Sequence, residues 1–459
     1  MKRNDRNNAS IGKKGITKRL AQYVTGFDHG DMPSEVFHAA KRCLLDWLGV
    51  ALGGSSHRGV DYLLHVAEEV GTESKAIIIG RGRKADILHA ALINGYMSHV
   101  LDYDDTHLES FVHPSAPVWP AIASLSAMMK ISGKDALSAF VLGYEVENRI
   151  GRVLFPHHDE RGWHMTAMVG GFGAAAATGK LLRLDAGQLS QALGIVATYS
   201  SGLREMFGTM SKSLHIGKAA MSGLYASLLA RSGFTSSEKV LEAPRGFFAV
   251  NADECDSRTV VARLGDGFEV LQNSFKPYSC GVVTHPIIDA VVNLRNREGI
   301  ESQDVVAIEA EVHTMVPDVT GKKSPTTGLD GKFSIYHCIA AALVDGACGP
   351  DQFSDERVNH PDIISIRKRA SIRVNPGFRK HEARVRITLG SGRRLEEHIP
   401  FARGTPQNPL TDEKLTEKYH SMAESVLGSK GAQELAEEAW AIDEVDDFQG
   451  IIGLTLPSQ

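Results

Sequence analysis

Cysteine is scarce in this sequence, with five residues among 459. They are Cys43, Cys255, Cys280, Cys338 and Cys348. The five are scattered along the chain, odd in number and without a CxxC pair, which argues against a disulfide framework and against a structural zinc site. We therefore expect a protein of the reducing cytoplasm, in which the thiols are ordinary buried groups.

Long apolar runs and an excess of basic charge are absent as well. No apolar run approaches the roughly 20 residues that a membrane-spanning helix needs, so we expect no membrane span. Lysine and arginine total 50 against 55 acidic residues, and the net charge of -5 argues against a nucleic-acid partner. The basic N-terminal segment has no apolar stretch behind it, which predicts a disordered tail over residues 1–14 rather than a secretory signal.

Helical periodicity dominates most of the chain. The composition, 42% hydrophobic and 23% charged residues, is typical of a globular protein with a large core. Apolar residues recur at helical spacing through residues 15–266, for example over 33–52, and again over 404–459. Asp185 and Gln188 have the spacing of a capping box, and Thr411 is a candidate N-cap. We predict one all-helical domain from these two stretches, with a short strand at 75–80.

Residues 267–403 have a different pattern. Apolar and polar residues alternate over 305–313 and 383–389, which predicts strands. A turn at 390–392 leads into a further alternating segment at 393–399, which indicates a β-hairpin, and a helix is expected over about 333–347. The predicted fold class is mainly α: a large all-helical domain plus a smaller α+β lid domain over 267–403.

Two short patterns are similar to cofactor motifs but lack the required context. Gly171-Phe-Gly173 and the following alanines fit a loose dinucleotide-binding pattern, yet no strand precedes them and no parallel-sheet rhythm follows. Small residues that allow two helices to approach closely are the better interpretation. Asp102 to Asp105 also fit the DxDD motif of helical terpene cyclases, but four residues match easily by chance.

The densest group of reactive side chains lies between His99 and Ser115. Three aspartates and three histidines fall within this segment, with apolar sequence around it. So many titratable groups beside a core are costly unless they pair, bind a ligand or perform chemistry. Asp104 and Asp105 can instead cap a helix end or pair with a neighbour. A metal site is a further alternative, since carboxylates and imidazoles are good ligands, but the spacing fits no metal signature and we predict no metal.

Four loops each place a basic or imidazole residue immediately before a predicted helix. These residues are His113, His164, Lys212 and His285. A helix N-terminus offers free N–H donors and partial positive charge, so several such loops together would bind a polycarboxylate or a phosphate ester. A carboxylate such as Asp102 nearby would set the protonation of the basic groups. The alternative is that each histidine only caps its own helix. Tyr144 is a further polar candidate, or else a core tyrosine.

In these segments, and in their order along the chain, the sequence resembles the MmgE/PrpD family. The matching segments are residues 99–107 with 113–115, 143–146, 162–164, 192–195, 212–220, 276–278 with 284–286, and 332–335. They run collinearly between about residues 17 and 403, which is far more specific than any single motif. The resemblance implies a large helical domain, a smaller α+β lid domain, and a homodimer with a site at the domain junction.

Members of this family include 2-methylcitrate dehydratase, cis-aconitate decarboxylase and iminodisuccinate epimerase, which need no organic cofactor or metal. The positions that match its motifs imply site residues at Asp102, Thr106, His113, His164, Lys212 and Lys276, with His285 as a further match. Two departures stand out. Cys280-Gly281-Val282 occupies the place where many relatives have an arginine, so an expected carboxylate clamp is missing or replaced. Met165 stands where a proline often follows the histidine.

We therefore expect a lyase that needs no cofactor and acts on small di- or tricarboxylates. The reaction would be proton transfer at a carbon next to a carboxylate, in a dehydration or a decarboxylation, with preorganised cations stabilising the developing charge. The expected catalytic residues are Asp102, Thr106, His113, His164 and Lys212, and the expected substrate-binding residues are Lys276, Tyr278, His285 and Tyr144. One alternative is an epimerase of a dicarboxylate such as iminodisuccinate. A more remote alternative is a helical binding protein without enzymatic activity.

Overall fold

The computed structural model describes residues 15–70, 74–155, 157–252 and 256–457. The tail predicted at residues 1–14 lies outside the described residues, as does Cys255. Helices make up most of the described chain and only small sheets interrupt them, which confirms the prediction of a mainly α fold. Within the described residues, none of the helices combines the length and the apolar character that crossing a membrane requires.

The helices are spread over the whole described chain. In order they are α1 (Ile16–Gly26), α2 (Ser34–Gly54), α3 (Arg58–Glu69), α4 (Ile87–Val100), α5 (Ser115–Ser126), α6 (Gly133–Leu154), α7 (His157–Glu160), α8 (Met165–Leu181), α9 (Ala186–Ala197), α10 (Met210–Arg231), α11 (Phe247–Asn251), α12 (His285–Glu298), α13 (Met315–Thr320), α14 (Gly328–Gly331), α15 (Ile335–Val344), α16 (Asp355–Val358), α17 (Pro361–Arg367), α18 (Asp412–Trp440) and α19 (Phe448–Gly453). Helix α18 is interrupted at Gly428, whose φ is 69°. Its N-terminal half packs along α2 and so joins the end of the chain to the helices near its start.

Local sequence signals explain where several helices begin. Helix α2 follows Pro33, and α9 follows Asp185, which forms the predicted capping box with Gln188. The Thr411 hydroxyl accepts a hydrogen bond from the backbone N–H of Lys414 and so caps α18. The Asp185 and Thr411 side chains thus satisfy N–H donors that the first turn of a helix cannot satisfy itself.

The strands form three small sheets. They are β1 (Ala76–Ile78), β2 (Arg83–Ala85), β3 (Thr106–His107), β4 (Asn273–Ser274), β5 (Val305–Val312), β6 (Ala370–Val374), β7 (Ala383–Leu389) and β8 (Arg394–Ile399). Residues 267–403, the lid segment, contain a four-stranded sheet of order β6–β5–β7–β8. The β7–β8 pair is the predicted hairpin, with Ala383 opposite Ile399. Alternate residues of β7 are buried because α12 covers this face of the hairpin.

Three large groups of buried apolar side chains form most of the core of the described chain, and Val50, Tyr103 and Met422 form a small fourth group. Two of the large groups lie almost entirely among the helices outside the lid segment. The third is drawn from residues 278–395 and fills the space between the sheet, α12 and α15. The predicted domain limits at residues 266 and 403 remain predictions.

A close contact between α4 and α10 positions the functional residues. A Cβ atom on Gly217 of α10 would lie only 2.1 Å from the carbonyl oxygen of Leu92 in α4. The glycine therefore allows the two backbones to touch. As a result, His99 near the end of α4 meets Lys212 in the first turn of α10.

The glycine pattern at Gly171 and Gly173 also serves helix packing. Both residues lie inside α8, which no strand precedes directly. A Cβ atom on Gly173 would lie 3.0 Å from the carbonyl oxygen of Gly143 in α6. This contact confirms that the small residues bring two helices together.

Candidate active site

A narrow cavity lies between the helices and the lid segment. Its lining comes from both parts: Asp102, Phe111, His113, His164, Met165, Phe207, Lys212, Lys276, Gly281, Val282, Val283, Val319 and Phe333. The cavity volume is about 30 Å³, which is room for a water molecule but not for a larger ligand. One carboxylate, two ammonium groups and two imidazoles face each other here across apolar walls.

Asp102 lies at the centre of the charged side chains. It follows the end of α4 with a φ of 50°, in the left-handed region that few residues other than glycine adopt. Lys276 donates hydrogen bonds to the Asp102 carboxylate at 2.7 Å and to its carbonyl oxygen at 2.9 Å. Nζ of Lys212 lies 3.4 Å from the same carboxylate oxygen. All three side chains are buried, so the ion pairs hold both the backbone turn and the lysines in place.

A chain of hydrogen bonds links Asp104, His99 and Lys212. Nδ1 of His99 lies 2.7 Å from Oδ2 of Asp104, and Nε2 of His99 lies 2.7 Å from Nζ of Lys212. Because a carboxylate only accepts hydrogen bonds and an ammonium only donates them, His99 is neutral with its proton on Nδ1. Nδ1 of His113 lies 3.3 Å from the same Asp104 oxygen. The chain thus fixes the orientation of the Lys212 amine.

Aromatic rings surround the Lys212 ammonium group. Its Nζ lies 5.3 Å from the centre of the Phe207 ring and 5.1 Å from that of Phe333. The His164 ring stacks on His99 with 5.7 Å between the ring centres. These rings limit the access of water, and the two phenylalanines also stabilise the charge through cation–π contacts.

The two lysines of the cavity differ in how firmly they hold their protons. Burial lowers the pKa of Lys212, and the Asp102 carboxylate offsets this effect only in part. Burial would also lower the pKa of Lys276, but Asp102 and Asp104 raise it above its ordinary value. Lys212 therefore releases its proton more readily than Lys276, which remains positively charged at neutral pH.

The pKa values of Asp102 and of the imidazoles at this site are all lowered. Burial alone would raise the pKa of Asp102, but Lys212 and Lys276 hold it well below its ordinary value. Burial lowers the pKa of His99 to about 3. Burial is also the main reason why the pKa values of His113 and His164 are lowered. The imidazoles are thus neutral at neutral pH, and an incoming carboxylate would favour their protonation.

Five of the residues predicted from the sequence meet in the cavity. They are Asp102, His113, His164, Lys212 and Lys276. Thr106 lies behind the lining, with Oγ1 3.3 Å from Nδ1 of His113. The sequence motifs therefore pointed to side chains that the fold does bring together.

The predicted positions at the helix starts were correct for only one of the four loops. His164 directly precedes its helix, α8. His113 lies two positions before α5, while Lys212 and His285 lie inside the first turns of α10 and α12. Helix α10 begins earlier than predicted because the Thr209 hydroxyl caps it, accepting a hydrogen bond from the backbone N–H of Ser211. The basic groups still lie at the N-terminal ends of helices.

Three predicted substrate-binding residues do not reach the cavity. Tyr144 donates a hydrogen bond to Asn273 at 3.0 Å inside the helical core. Tyr278 donates to Asp289 at 2.7 Å inside the lid segment. Nε2 of His285 lies 3.2 Å from a backbone carbonyl oxygen of its own loop. Each polar group has a partner within the protein, so this geometry does not support their predicted contact with substrate.

Asp105 caps a helix start, which is one of the roles considered for it from the sequence. Its carboxylate accepts hydrogen bonds from the backbone N–H of Ser115 at 3.2 Å and from the Ser115 hydroxyl at 2.7 Å. Asn273 donates a third hydrogen bond at 2.9 Å. Asp105 therefore caps the start of α5 and ties it to β4.

The sequence did not single out His99 and Lys332. His99 lies in the acidic segment, but nothing in the spacing of the residues distinguished it from His107. In the structure, His107 instead lies 3.2 Å from a Glu269 carboxylate oxygen. Lys332 donates to the carbonyl oxygen of Leu101 at 2.7 Å and so connects the lid segment to the loop after α4. Only its place in a segment that matches the family could have indicated this role.

Four buried groups lie close enough to bind a metal ion in principle. His99, Asp102, Asp104 and His113 each offer one atom, and these atoms lie within 4.8 Å of one another. However, the ammonium groups of Lys276 and Lys212 already lie against Asp102 (2.7 and 3.4 Å). A divalent cation would have to bind beside two positive charges.

Removal of metals is therefore expected to leave the protein unchanged. After incubation with EDTA and desalting, we expect the same melting temperature and the same turnover as before, because the lysines supply the positive charge at this site. Differential scanning fluorimetry and an activity assay would check this. A loss that one added metal ion restores would contradict it.

Acid is expected to destabilise the fold through the buried histidines. His99 has a pKa of about 3 in the folded protein against 6.5 ordinarily, so the unfolded state binds more protons between these values and stability falls as the pH falls through this window. Asp102 and Asp104 also make the stability fall as the pH falls, but at lower pH, because their pKa values in the folded protein lie well below 3.8. Denaturant unfolding at several pH values would measure the slope. We expect a shallower slope for His99→Gln, and parallel slopes would contradict this account.

The fold and the cavity together define a mainly helical protein with a buried cavity, lined by two lysines, between the helices and the lid segment. The N-terminal domain of the MmgE/PrpD family matches residues 18–258, and its C-terminal domain matches residues 278–444. The chain therefore belongs to the MmgE/PrpD family, as the sequence motifs predicted.

Curated relatives extend over nearly the whole chain. The chain is 27% identical to a cis-aconitate decarboxylase of Aspergillus terreus, covering 97% of this chain and 96% of the relative. It is 26% identical to the human cis-aconitate decarboxylase, covering 95% and 93%. The mouse cis-aconitate decarboxylase is 25% identical, covering 95% and 92%.

Proposed function

We propose that this protein is a lyase that acts on small di- or tricarboxylates, with decarboxylation of cis-aconitate or a close analogue as the leading candidate. The observation that carries the proposal is the buried Lys212 amine, which lies between His99 and Asp102 and faces a cavity with a second, permanently charged lysine. An exchangeable proton beside a fixed cation suits a reaction that develops negative charge next to a carboxylate. The names of the relatives favour decarboxylation over dehydration.

The residues of the cavity divide into two roles. Lys276, with its raised pKa, remains charged and would bind a carboxylate that is kept through the reaction. His113 and His164 lie on the cavity wall and would contribute further hydrogen bonds to that group. Lys212 has a lowered pKa, which brings it closer to the value suited to acid–base catalysis at neutral pH.

In a decarboxylation, the bond between the carbon and the departing carboxylate breaks and CO₂ leaves. The electron pair remains on that carbon and spreads into a neighbouring unsaturated carboxylate, where Lys276 would stabilise the charge. The Lys212 ammonium group then delivers its proton to the carbon and becomes a neutral amine. Solvent returns a proton to Lys212, while the Asp104–His99 pair keeps the amine oriented.

The proposal is tested with purified protein and a panel of candidate carboxylates: cis-aconitate, citrate, isocitrate, 2-methylcitrate and iminodisuccinate. We expect release of CO₂ from cis-aconitate, measured by a coupled bicarbonate assay and by proton NMR of the product. Formation of an alkene without CO₂ would assign a dehydratase instead. A correctly folded protein that changes none of these compounds would overturn the proposal.

An epimerase is the second candidate, because both Lys212 and His113 face the cavity and could exchange protons with one carbon. Reaction in D₂O separates it from a lyase. Recovered substrate that contains deuterium and has lost its stereochemical purity, without CO₂ or alkene, would assign an epimerase. A decarboxylase instead gives a product that has lost CO₂ and carries one solvent deuterium.

We also propose that the protein is a cytoplasmic homodimer. Leu214 and Tyr225 lie on one face of α10 and are 37% and 38% exposed, which leaves apolar surface for a second copy. The cysteines of the described residues are unpaired, as a reducing compartment requires. Sedimentation at micromolar concentration is expected to give twice the mass of one chain, and a monomer would contradict the dimer.

A further inference from the structure

A second and larger space, the outer chamber, adjoins the cavity. Its volume is about 360 Å³, which falls within the range of about 300–1,000 Å³ found for small-molecule sites. The inner cavity has only about 30 Å³. Phe111, Val282 and Val283 line both spaces and so form the partition between them. Since the inner cavity must widen to admit a carboxylate, movement of these side chains would join the two spaces.

Carbon atoms dominate the walls of the outer chamber near the partition. Leu108 contributes to the outer chamber, next to the three partition side chains. The acidic residue there, Glu109, has its carboxylate 3.2 Å from the guanidinium group of Arg152. Its charge is therefore balanced by a partner rather than directed at a ligand.

Lys380 and Arg379, two of the four basic or imidazole residues that line the outer chamber, are engaged by neighbours. Nζ of Lys380 lies 3.8 Å from the centre of the Phe155 ring. The guanidinium group of Arg379 lies 4.3 Å from the centre of the Phe401 ring and 3.2 Å from the Glu382 carboxylate. These contacts hold the positive charges against ring faces and a carboxylate. The chamber thus offers mainly apolar surface with basic groups beside it.

Phe111 in the partition has an unusual backbone. Its φ is 56°, a left-handed conformation that is rare for an aromatic residue. The ring is half-buried and stacks on Phe155 with 5.5 Å between the centres. Strained residues of this kind persist where the surrounding structure imposes them, and they are concentrated at ligand sites.

We propose that the outer chamber is a subsite for a hydrophobic chain carried by the reacting di- or tricarboxylate. The carboxylates would bind at Lys212 and Lys276 while an alkyl chain of several carbons passes Phe111, Val282 and Val283 into the chamber. This inference rests on the proposed function and adds the substrate class. Val282 suits it, because an isopropyl group at the partition accepts a passing chain and an ionic side chain would not.

The test is the binding of unreactive ligands to the full-length protein by isothermal titration calorimetry. The ligands are succinate and its 2-methyl, 2-propyl and 2-pentyl derivatives, which share two carboxylates and differ in chain length. Transfer of one methylene from water to an apolar site gives about a fourfold gain in affinity. We expect the dissociation constant to fall by about this factor for each added methylene. Equal affinity across the series, or no binding of any member, would overturn the inference.

Two variants test whether the gain in affinity with chain length arises in the outer chamber. Leu108→Trp fills the outer chamber but does not line the inner cavity, so it should remove the gain with chain length and leave succinate binding unchanged. The control is Val306→Trp, which adds the same bulk at a position of β5 that is 54% exposed, and it should keep the gain. If Leu108→Trp weakens all four ligands equally, the chamber is only an entrance and the inference fails.

The outcome is independent of turnover. A protein that binds longer chains more tightly but converts no carboxylate would overturn the proposed function and retain the chamber as a binding subsite. A protein that decarboxylates cis-aconitate but shows no gain with chain length would retain the proposed function and overturn the subsite.

Discussion

Replacement of Lys212 by alanine is expected to lower turnover of the carboxylate substrate by about 10²–10⁴-fold, the range that a general acid or base contributes. The reason is that Lys212 is the lysine of the cavity whose pKa burial lowers, so its removal takes away the proposed proton donor. Steady-state kinetics would measure the effect. The loss should fall mainly on kcat, because Lys276 remains to bind the substrate.

A matched control is available in the same helix. Lys218 is a partly buried lysine of α10 whose Nζ donates to Ser201, and it does not line the cavity. Lys218→Ala should therefore keep most of the activity. Lys212→Arg restores the charge but not the exchangeable proton, since a guanidinium group does not lose its proton in proteins. Near wild-type turnover in Lys212→Ala or Lys212→Arg would contradict the assigned role.

Replacement of Asp102 by asparagine is expected to destabilise the fold by about 3–5 kcal/mol, the range for removing one partner of a buried ion pair. Asp102 is buried between Lys276 and Lys212, so its loss takes the nearest counter-ion from both ammonium groups. Equilibrium unfolding in urea would measure the change. Activity should also fall, because the pKa of Lys212 loses the carboxylate that raises it.

A double variant distinguishes lost charge balance from lost packing. Asp102→Asn combined with Lys276→Met removes both charges of the closer pair and should be more stable than Asp102→Asn alone. Asp46→Asn is the control, because Asp46 forms a buried ion pair with Lys418 at 2.6 Å and neither residue lines the cavity. It should cost stability without lowering kcat. If adding Lys276→Met to Asp102→Asn lowers the stability further, the balance of buried charges does not determine the stability of this site.

Much of the fold could be predicted because its signals are local. The capping box at Asp185, the N-cap at Thr411 and the β7–β8 hairpin each depend on residues close together in the sequence. The capping role of Asp105 is a different case, since one of its partners, Asn273, is distant in the chain. Periodicity cannot reveal such a contact, which is why the acidic segment could be read in several ways.

The sequence predicted charged residues of the candidate site but not which of them form pairs. Asp102 and Lys212 stood out because they are charged residues beside predicted apolar helices, and Lys276 was implied by its match to the family motifs. The role of His99 was missed, because it depends on the closeness of α4 and α10 at Gly217. Tyr144 and Tyr278 were assigned to the substrate from motifs, but a tyrosine hydroxyl in a motif is satisfied equally well inside a core.

The central claim is that the Lys212 amine transfers the proton at the reacting carbon. Chemical rescue of Lys212→Ala by added primary amines tests it most directly, with turnover of cis-aconitate or whichever panel member the wild-type protein converts. The account predicts that ethylamine restores a measurable part of the lost rate, in proportion to its concentration, and has no such effect on the wild-type protein or on Lys218→Ala. A Lys212→Ala protein that keeps the wild-type rate without any amine would contradict the account.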